Sequence, residues 1–271
     1  MTDTRTIQPS IPAAGAQAPA LLCEKCGYDL SASRTHRVCP ECATPLSDSL
    51  PQRRTGTAWQ RAWRENRWRL PLAYAKVSLA GLFFPWRQLR TAIISPAGAR
   101  ALLIVNTLLA SVALTLRTRD PAAQLLAGVW PAGITTPALA FGNTWPLLCS
   151  LLVFLLWLGL FFALTAIERL GVGFYSRRRG WRVTPDISLL ATSHASGAWL
   201  ISAFLGLALP PILGASRDRL PAFIGVAIPG ISFAAGSVGF IVGMLWFEFS
   251  TYFGVRACRY ANPPESHPVN A

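Results

Sequence analysis

Cys23, Cys26, Cys39 and Cys42 form two C-x-x-C pairs separated by twelve residues, in the stretch CEKCGYDL to CPEC. Each pair lets two thiolates grip one ion from a single tight turn, and four thiolates complete the tetrahedron that zinc prefers. Gly27 follows the first pair, where such a turn calls for a positive φ. The residues between the pairs, Ser31, Ser33, Arg34, His36 and Arg37 among them, suit a short exposed hairpin. The expected cofactor is therefore a structural Zn2+, because four thiolates leave no open coordination position. Residues 23–46 are too few to fold on apolar burial alone, so metal binding is expected to supply the folding energy. A disulfide pair or a redox C-x-x-C competes with this reading, and doubled pairs in a reducing cytosol argue against both. His36 is close enough to Cys39 to replace a ligand but reads as an exposed loop histidine. Lys25, Arg34 and Arg37 are offset by Glu24, Asp29 and Glu41. That balance argues against nucleic acid and leaves a protein-binding or purely structural knob.

Other chemistry is sparse. Glu168, His194 and Glu248 sit at the expected cytoplasmic ends of apolar stretches, and together they could line the vestibule of a transporter or channel subunit. The alternative is that each glutamate pairs with Arg169 or Arg256 at the water boundary and His194 hydrogen-bonds across helices. No apolar stretch carries a charge at its midpoint, which weakens the transporter reading. No G-x-S-x-G, H-E-x-x-H or G-x-x-x-x-G-K-[ST] occurs, and no acid–base pair can be nominated. The chain is expected not to be an enzyme.

The elements that carry these residues are apolar. The 271 residues are 52% hydrophobic and only 14% charged, with a mean hydropathy of +0.38; soluble domains carry about 25% charged residues. Four stretches approach the roughly 20 apolar residues that cross a bilayer: 101–116, 147–167, about 187–213 with Pro210 and Pro211 breaking its far end, and about 222–247 with a kink at Pro229 and Gly230. Residues 1–20 have no apolar run after a basic start, so the cysteine module is expected to begin in the cytosol. The net charge of +13 is almost all arginine. Ten Lys or Arg lie between residues 51 and 100, two follow the first stretch, five the second and two the third. That alternation places both termini in the cytoplasm of a multi-pass inner-membrane protein. The Pro- and Gly-rich segment 124–146 is expected to be an exofacial loop dipping into the interface, with Trp130 and Trp145 as belt residues; a fifth span would break the alternation.

Trp59 and Trp63 lie one helical turn apart among Arg61, Arg64, Arg67 and Arg69. The pattern predicts one or two interfacial helices on the cytoplasmic leaflet, drawn to anionic lipid, or else a generic basic flank. Ala235, Gly239 and Gly243, and likewise Ser193 and Gly197, recur every fourth residue. Such stripes let helices approach closely, within one chain or between two copies of a homo-oligomer. Cys149 and Cys258 read as ordinary small residues.

The head CEKCGYDL to CPEC resembles the zinc-ribbon opening of many uncharacterised bacterial membrane proteins, in which a Gly usually follows the last Cys. Ala43 stands there in this chain and implies an altered second turn. The ending GVRACRYANPP (254–264) resembles that of some of the same proteins. The basic aromatic lead and apolar bundle are loosely similar to Yip1-type integral membrane proteins. That likeness implies an all-helical bundle, usually of five spans, linked to membrane organisation and trafficking rather than catalysis.

The expected fold is an all-α polytopic membrane protein of about four transmembrane helices with a small N-terminal zinc ribbon. Its parts are a disordered lead (1–20), the ribbon (21–48), a basic aromatic linker (51–96), the bundle (97–260) and a flexible tail (261–271). Its partners are expected to be the lipid bilayer, including anionic lipids, and a protein bound through the ribbon.

Overall fold

A computed structural model describes residues 20–31, 37–129, 144–217 and 231–262. Among the described residues, eight α-helices follow the cysteine module: α1 (Ala58–Glu65), α2 (Leu70–Phe83), α3 (Pro85–Thr91), α4 (Pro96–Val129), α5 (Trp145–Arg178), α6 (Pro185–Ala195), α7 (Ala198–Arg217) and α8 (Ile231–Cys258). Among the described residues the only β pairing is two isolated bridges inside the cysteine module. Helix starts follow from local chemistry. Helices α3, α4 and α6 open on Pro85, Pro96 and Pro185, where a missing N–H is no loss. Thr57 and Gln60 form a reciprocal capping box on α1, and the Thr184 hydroxyl accepts from the Ile187 N–H on α6.

Among the described residues, four stretches are long and apolar enough to cross a membrane: Pro96–Thr118, Trp145–Arg178, Pro185–Leu209 and Ser237–Cys258. Their packing is inside-out by the standard of a water-soluble bundle. The most apolar 18-residue stretch of the span in α5 is only 17% buried, whereas that of the span formed by α6 and α7 is 78% buried. The outermost helix shows Leu151, Leu152, Leu155 and Leu156 to its surroundings, while the central one buries Ser188, Thr192, Ser193, His194 and Ser196. A continuous apolar exterior around a partly polar interior fits a lipid solvent. Aromatic rings fill the middle of the bundle: Trp199 lies 4.8 Å from Phe161 and 4.6 Å from Phe247.

Several expectations change. The third span is broken at Ser196–Gly197, between α6 and α7, and α7 runs on through Pro210 and Pro211 to Arg217. The first and second spans are longer than their apolar cores. Helix α4 continues through 124–129 of the segment expected to be a loop; residues 130–143, with Trp130, and the kink expected at Pro229 and Gly230 lie outside the described residues. Helices α5 and α8 run on ten residues past Glu168 and Glu248, to Arg178 and Cys258. The reason is that Val172, Val255 and Cys258 continue an inward face that packs with Leu89, Ile187 and Leu190, so the helices stay folded beyond the apolar stretch.

Trp59 is not a headgroup residue. It is 3% exposed, donates its indole N–H to the Gly98 carbonyl at 2.8 Å, and stacks on Trp63 at 5.8 Å. Helix α1 therefore turns its indole face inward against the start of α4. Trp68, 95% exposed, is the indole that faces outward, and Leu72, Leu79 and Phe83 on α2 extend that apolar surface.

The small-residue stripe is used within the chain. A Cβ on Gly239 would meet Gly206 N and Leu205 Cβ at 3.0 Å, and one on Gly243 would collide with the Ser202 hydroxyl. Helices α7 and α8 thus pack backbone to backbone. Gly243→Leu is expected to separate them and destabilise the bundle by about 3 kcal/mol or more, read as loss of the monodisperse peak in detergent chromatography. Retention of a wild-type profile would show that this contact can be opened freely.

Candidate metal centre and its mount

Two near-identical turns build the cysteine cluster. The Gly27 N–H donates to Cys23 O and the Cys23 N–H to Tyr28 O, both at 2.8 Å; the Ala43 N–H donates to Cys39 O at 2.9 Å and the Cys39 N–H to Thr44 O at 2.8 Å. Gly27 and Ala43 occupy the same place in each turn, with φ of 84° and 54°. Ala43 therefore keeps the turn that a glycine would make and bears the strain of its Cβ instead of altering the turn. Ala43→Gly is expected to stabilise the module by about 1 kcal/mol, measured as an increase in amide protection of Cys39. No gain would mean that local distortion has already relieved the strain.

The four sulfurs of Cys23, Cys26, Cys39 and Cys42 all lie within 4.8 Å of one another, with Cys23–Cys42 at 3.5 Å and Cys26–Cys39 at 3.7 Å. Tetrahedral bonds of about 2.3 Å from one ion imply sulfurs about 3.8 Å apart, so the cluster fits a single four-thiolate metal. Its thiols are unequal. The Thr44 hydroxyl, 3.2 Å from the Cys42 sulfur, lowers that thiol to about 6. Desolvation, reinforced by the neighbouring sulfurs, pushes Cys26 up to about 12. Bare thiols this close cannot all ionise, and a cation that lets them do so is bound in exchange for protons. His36 lies outside the described residues.

The module is not a free knob. It is mounted on the end of the bundle where the α5–α6 turn and the end of α8 meet. Arg54, buried, pairs with both Glu24 oxygens at 3.1 and 2.9 Å and donates to the carbonyls of Leu89 and Ala92, each at 3.0 Å. One guanidinium thus ties the first cysteine turn to the end of α3. Asn262, 2% exposed, performs a comparable task from the other end of the chain. Its amide donates to Leu22 O and Ser49 O at 2.8 and 2.7 Å, while its oxygen accepts from Leu22 N–H and Arg182 at 3.0 and 2.7 Å. Arg182 also donates to Ala20 O and Ala261 O at 2.6 and 3.1 Å. Arg259 donates to Lys25 O at 2.8 Å, and the Tyr260 ring covers Gly27 so closely that a Cβ there would lie 2.8 Å from it. Ala261 and Asn262 are therefore packed, although they head the segment expected to be a flexible tail.

The three polar span residues form no common network among the described residues. Glu168 and Glu248 lie close enough to influence each other electrostatically, and neither forms an ion pair with Arg169 or Arg256 among the described residues. His194 Nδ1 meets Leu190 O of its own helix at 3.0 Å, rather than a neighbouring helix, and its Nε2 is buried without a partner. A polar residue that does bridge helices is Asn106, inside the first span. It accepts from Tyr74 Oη at 2.7 Å and donates to Ser196 Oγ at 2.9 Å, joining α2 to the break between α6 and α7. Its isolation in ALLIVNTLLA was the available sequence signal.

No protein-family model, curated protein or solved structure matches this chain; the likeness noted for its cysteine head rests on that motif alone, and no similarity of the bundle to Yip1-type proteins is found.

Proposed function

We propose that this is a non-enzymatic, multi-pass protein of the inner membrane, with both ends in the cytosol, whose zinc-clamped cap presents a docking surface to a protein partner. The observation that carries the reading is the mount. Arg54, Asn262, Arg182 and Arg259 hold Glu24, Leu22 and Lys25 against the bundle, so a metal-folded surface is offered in one orientation at a fixed height. Tyr28 and Val38 are its outward apolar side chains. Zinc is assigned by donor chemistry, since a closed set of four soft thiolates suits a structural zinc ion. The cytosolic side is supported by the basic residues gathered at the cap's end of the bundle and by thiols that need reducing surroundings. His194 bonds to the Leu190 carbonyl of its own helix and to neither glutamate, which favours a scaffold over a transporter lined by all three.

The test is affinity capture from membranes with wild-type protein and with Cys39→Ser, using Cys149→Ser as the control. Partners present with wild type and control but lost with Cys39→Ser are expected. An identical partner set for all three proteins removes the cap from the function.

A further inference from the structure

Between cap and bundle lies a cavity of about 810 Å³, within the roughly 300–1,000 Å³ of small-ligand sites. Six basic residues line it: Lys25, Arg53, Arg54, Arg90, Arg256 and Arg259. Its two acidic residues are already engaged, Glu24 with Arg54 at 2.9 Å and Asp48 with Arg53 at 2.7 Å. Arg259 is partly occupied by the Lys25 carbonyl and by the Trp181 and Tyr260 rings, 5.7 and 5.1 Å from its guanidinium carbon. Lys25, Arg90 and Arg256 form no ion pair with a carboxylate among the described residues. They come from three separate elements, the first cysteine turn, α3 and α8, so their gathering is a product of the fold and not of a basic run. Like charges converging on one concave site repel unless an anion joins them.

The remaining wall is aromatic, from Trp86 and Phe253, whose rings lie 5.7 Å apart. From Phe253 an exposed apolar line continues along α8 toward its spanning half through Phe249, Leu245, Ile241 and Val238. A cationic cavity opening onto an apolar helix face has the polarity of a phospholipid: phosphate in the cavity, acyl chain along the helix.

We propose that this cavity binds the phosphate group of an anionic phospholipid, with Arg90 and Arg256 as its principal contacts and Lys25 closing it from the cap. The inference rests on the bundle spanning a bilayer and is independent of any protein partner, so it fails or survives apart from the capture experiment.

The experiment is native mass spectrometry of the full-length, metal-loaded protein in detergent, titrated with phosphatidylglycerol, with phosphatidylcholine of the same chains, and with glycerol phosphate. Wild type is expected to retain phosphatidylglycerol over phosphatidylcholine. The double variant Arg90→Gln with Arg256→Gln is expected to lower that retention about tenfold or more, and Lys25→Gln to lower it in the same direction. Arg177→Gln with Arg178→Gln removes equal charge outside the cavity and is expected to change nothing. Unchanged metal content and chromatographic profile show that each variant is folded. Since Lys25 stands on the cap, Lys25→Gln decides the matter if the double variant misfolds. Equal retention of the two lipids, or an equal loss from the control pair, overturns the proposal. Glycerol phosphate binding as tightly as phosphatidylglycerol keeps the phosphate site and overturns its lipid identity.

Discussion

Chelation of the metal proposed for the cysteine quartet is expected to melt residues 20–31 and 37–50 while the helices beneath them remain folded. The cap's own buried cluster is Leu30 with Cys23 and Cys39, with Leu21, Cys42 and Leu46 packed against it. That is too little apolar surface to fold a segment of this length, whereas structural zinc binding contributes on the order of 10 kcal/mol or more at neutral pH. The measurement is hydrogen exchange of the intact protein before and after chelation, with metal content determined in parallel. Amide protection of Cys23, Leu30 and Cys39 is expected to collapse, and that of Phe161 and Trp199 to persist. Cys39→Ser is expected to behave as the chelated wild type. Acid should act in the same direction, because protons compete with the metal for each thiolate. A cap that keeps its protection after verified metal loss would show that its hydrogen bonds and its mount suffice.

The second large effect is expected from Arg54→Met. The substitution removes one charge and takes the Arg54 donors from Glu24, which keeps the Asn262 N–H at 3.3 Å, and from the carbonyls of Leu89 and Ala92, in a nearly dry site. Breaking a buried pair in this way costs about 3–5 kcal/mol, most of it from stranding the surviving partner. The loss is expected to appear as faster exchange at Leu22 and Cys23 and as readier proteolysis between cap and α1, with metal retained. The diagnostic variant is Arg54→Met combined with Glu24→Met. Removing both partners is expected to recover part of the loss, because no lone carboxylate then remains under the cap. If single and double variants behave alike, the ion pair is incidental and the carbonyl contacts of Arg54 hold the cap.

Which of these features could be read from residues alone follows from how far each one reaches. The cysteine quartet was legible because each C-x-x-C closes on itself within six residues, as the paired turns at Gly27 and Ala43 show. The spans were legible because transfer into a bilayer depends on composition over about 20 residues, whatever the neighbours. Their ends were not, since apolar content stops at Glu168 and Glu248 while inward packing through Val172 and Val255 carries the helices further. Trp59 was misplaced for a related reason. An indole beside arginines suits a headgroup layer, but the Gly98 carbonyl and the Tyr74 ring claim it first. Arg54 is one of ten basic residues in its region, and nothing local distinguishes it from the others. Its partners lie 30 to 38 residues away. Asn262 is further still from Leu22, 240 residues along the chain, and a polar residue before two prolines carries no mark of burial.

That span of 240 residues between Leu22 and Asn262 sets an order of events during synthesis. The cysteine module is made long before Asn262, so its two turns can close before the side chain that seats Leu22 and Ser49 exists. Until Asn262 is made, Arg54 alone of the two latches can hold the module, through Glu24 and the carbonyls of Leu89 and Ala92. The seat is thus assembled in two stages, an early one closed by a guanidinium and a late one closed by an amide.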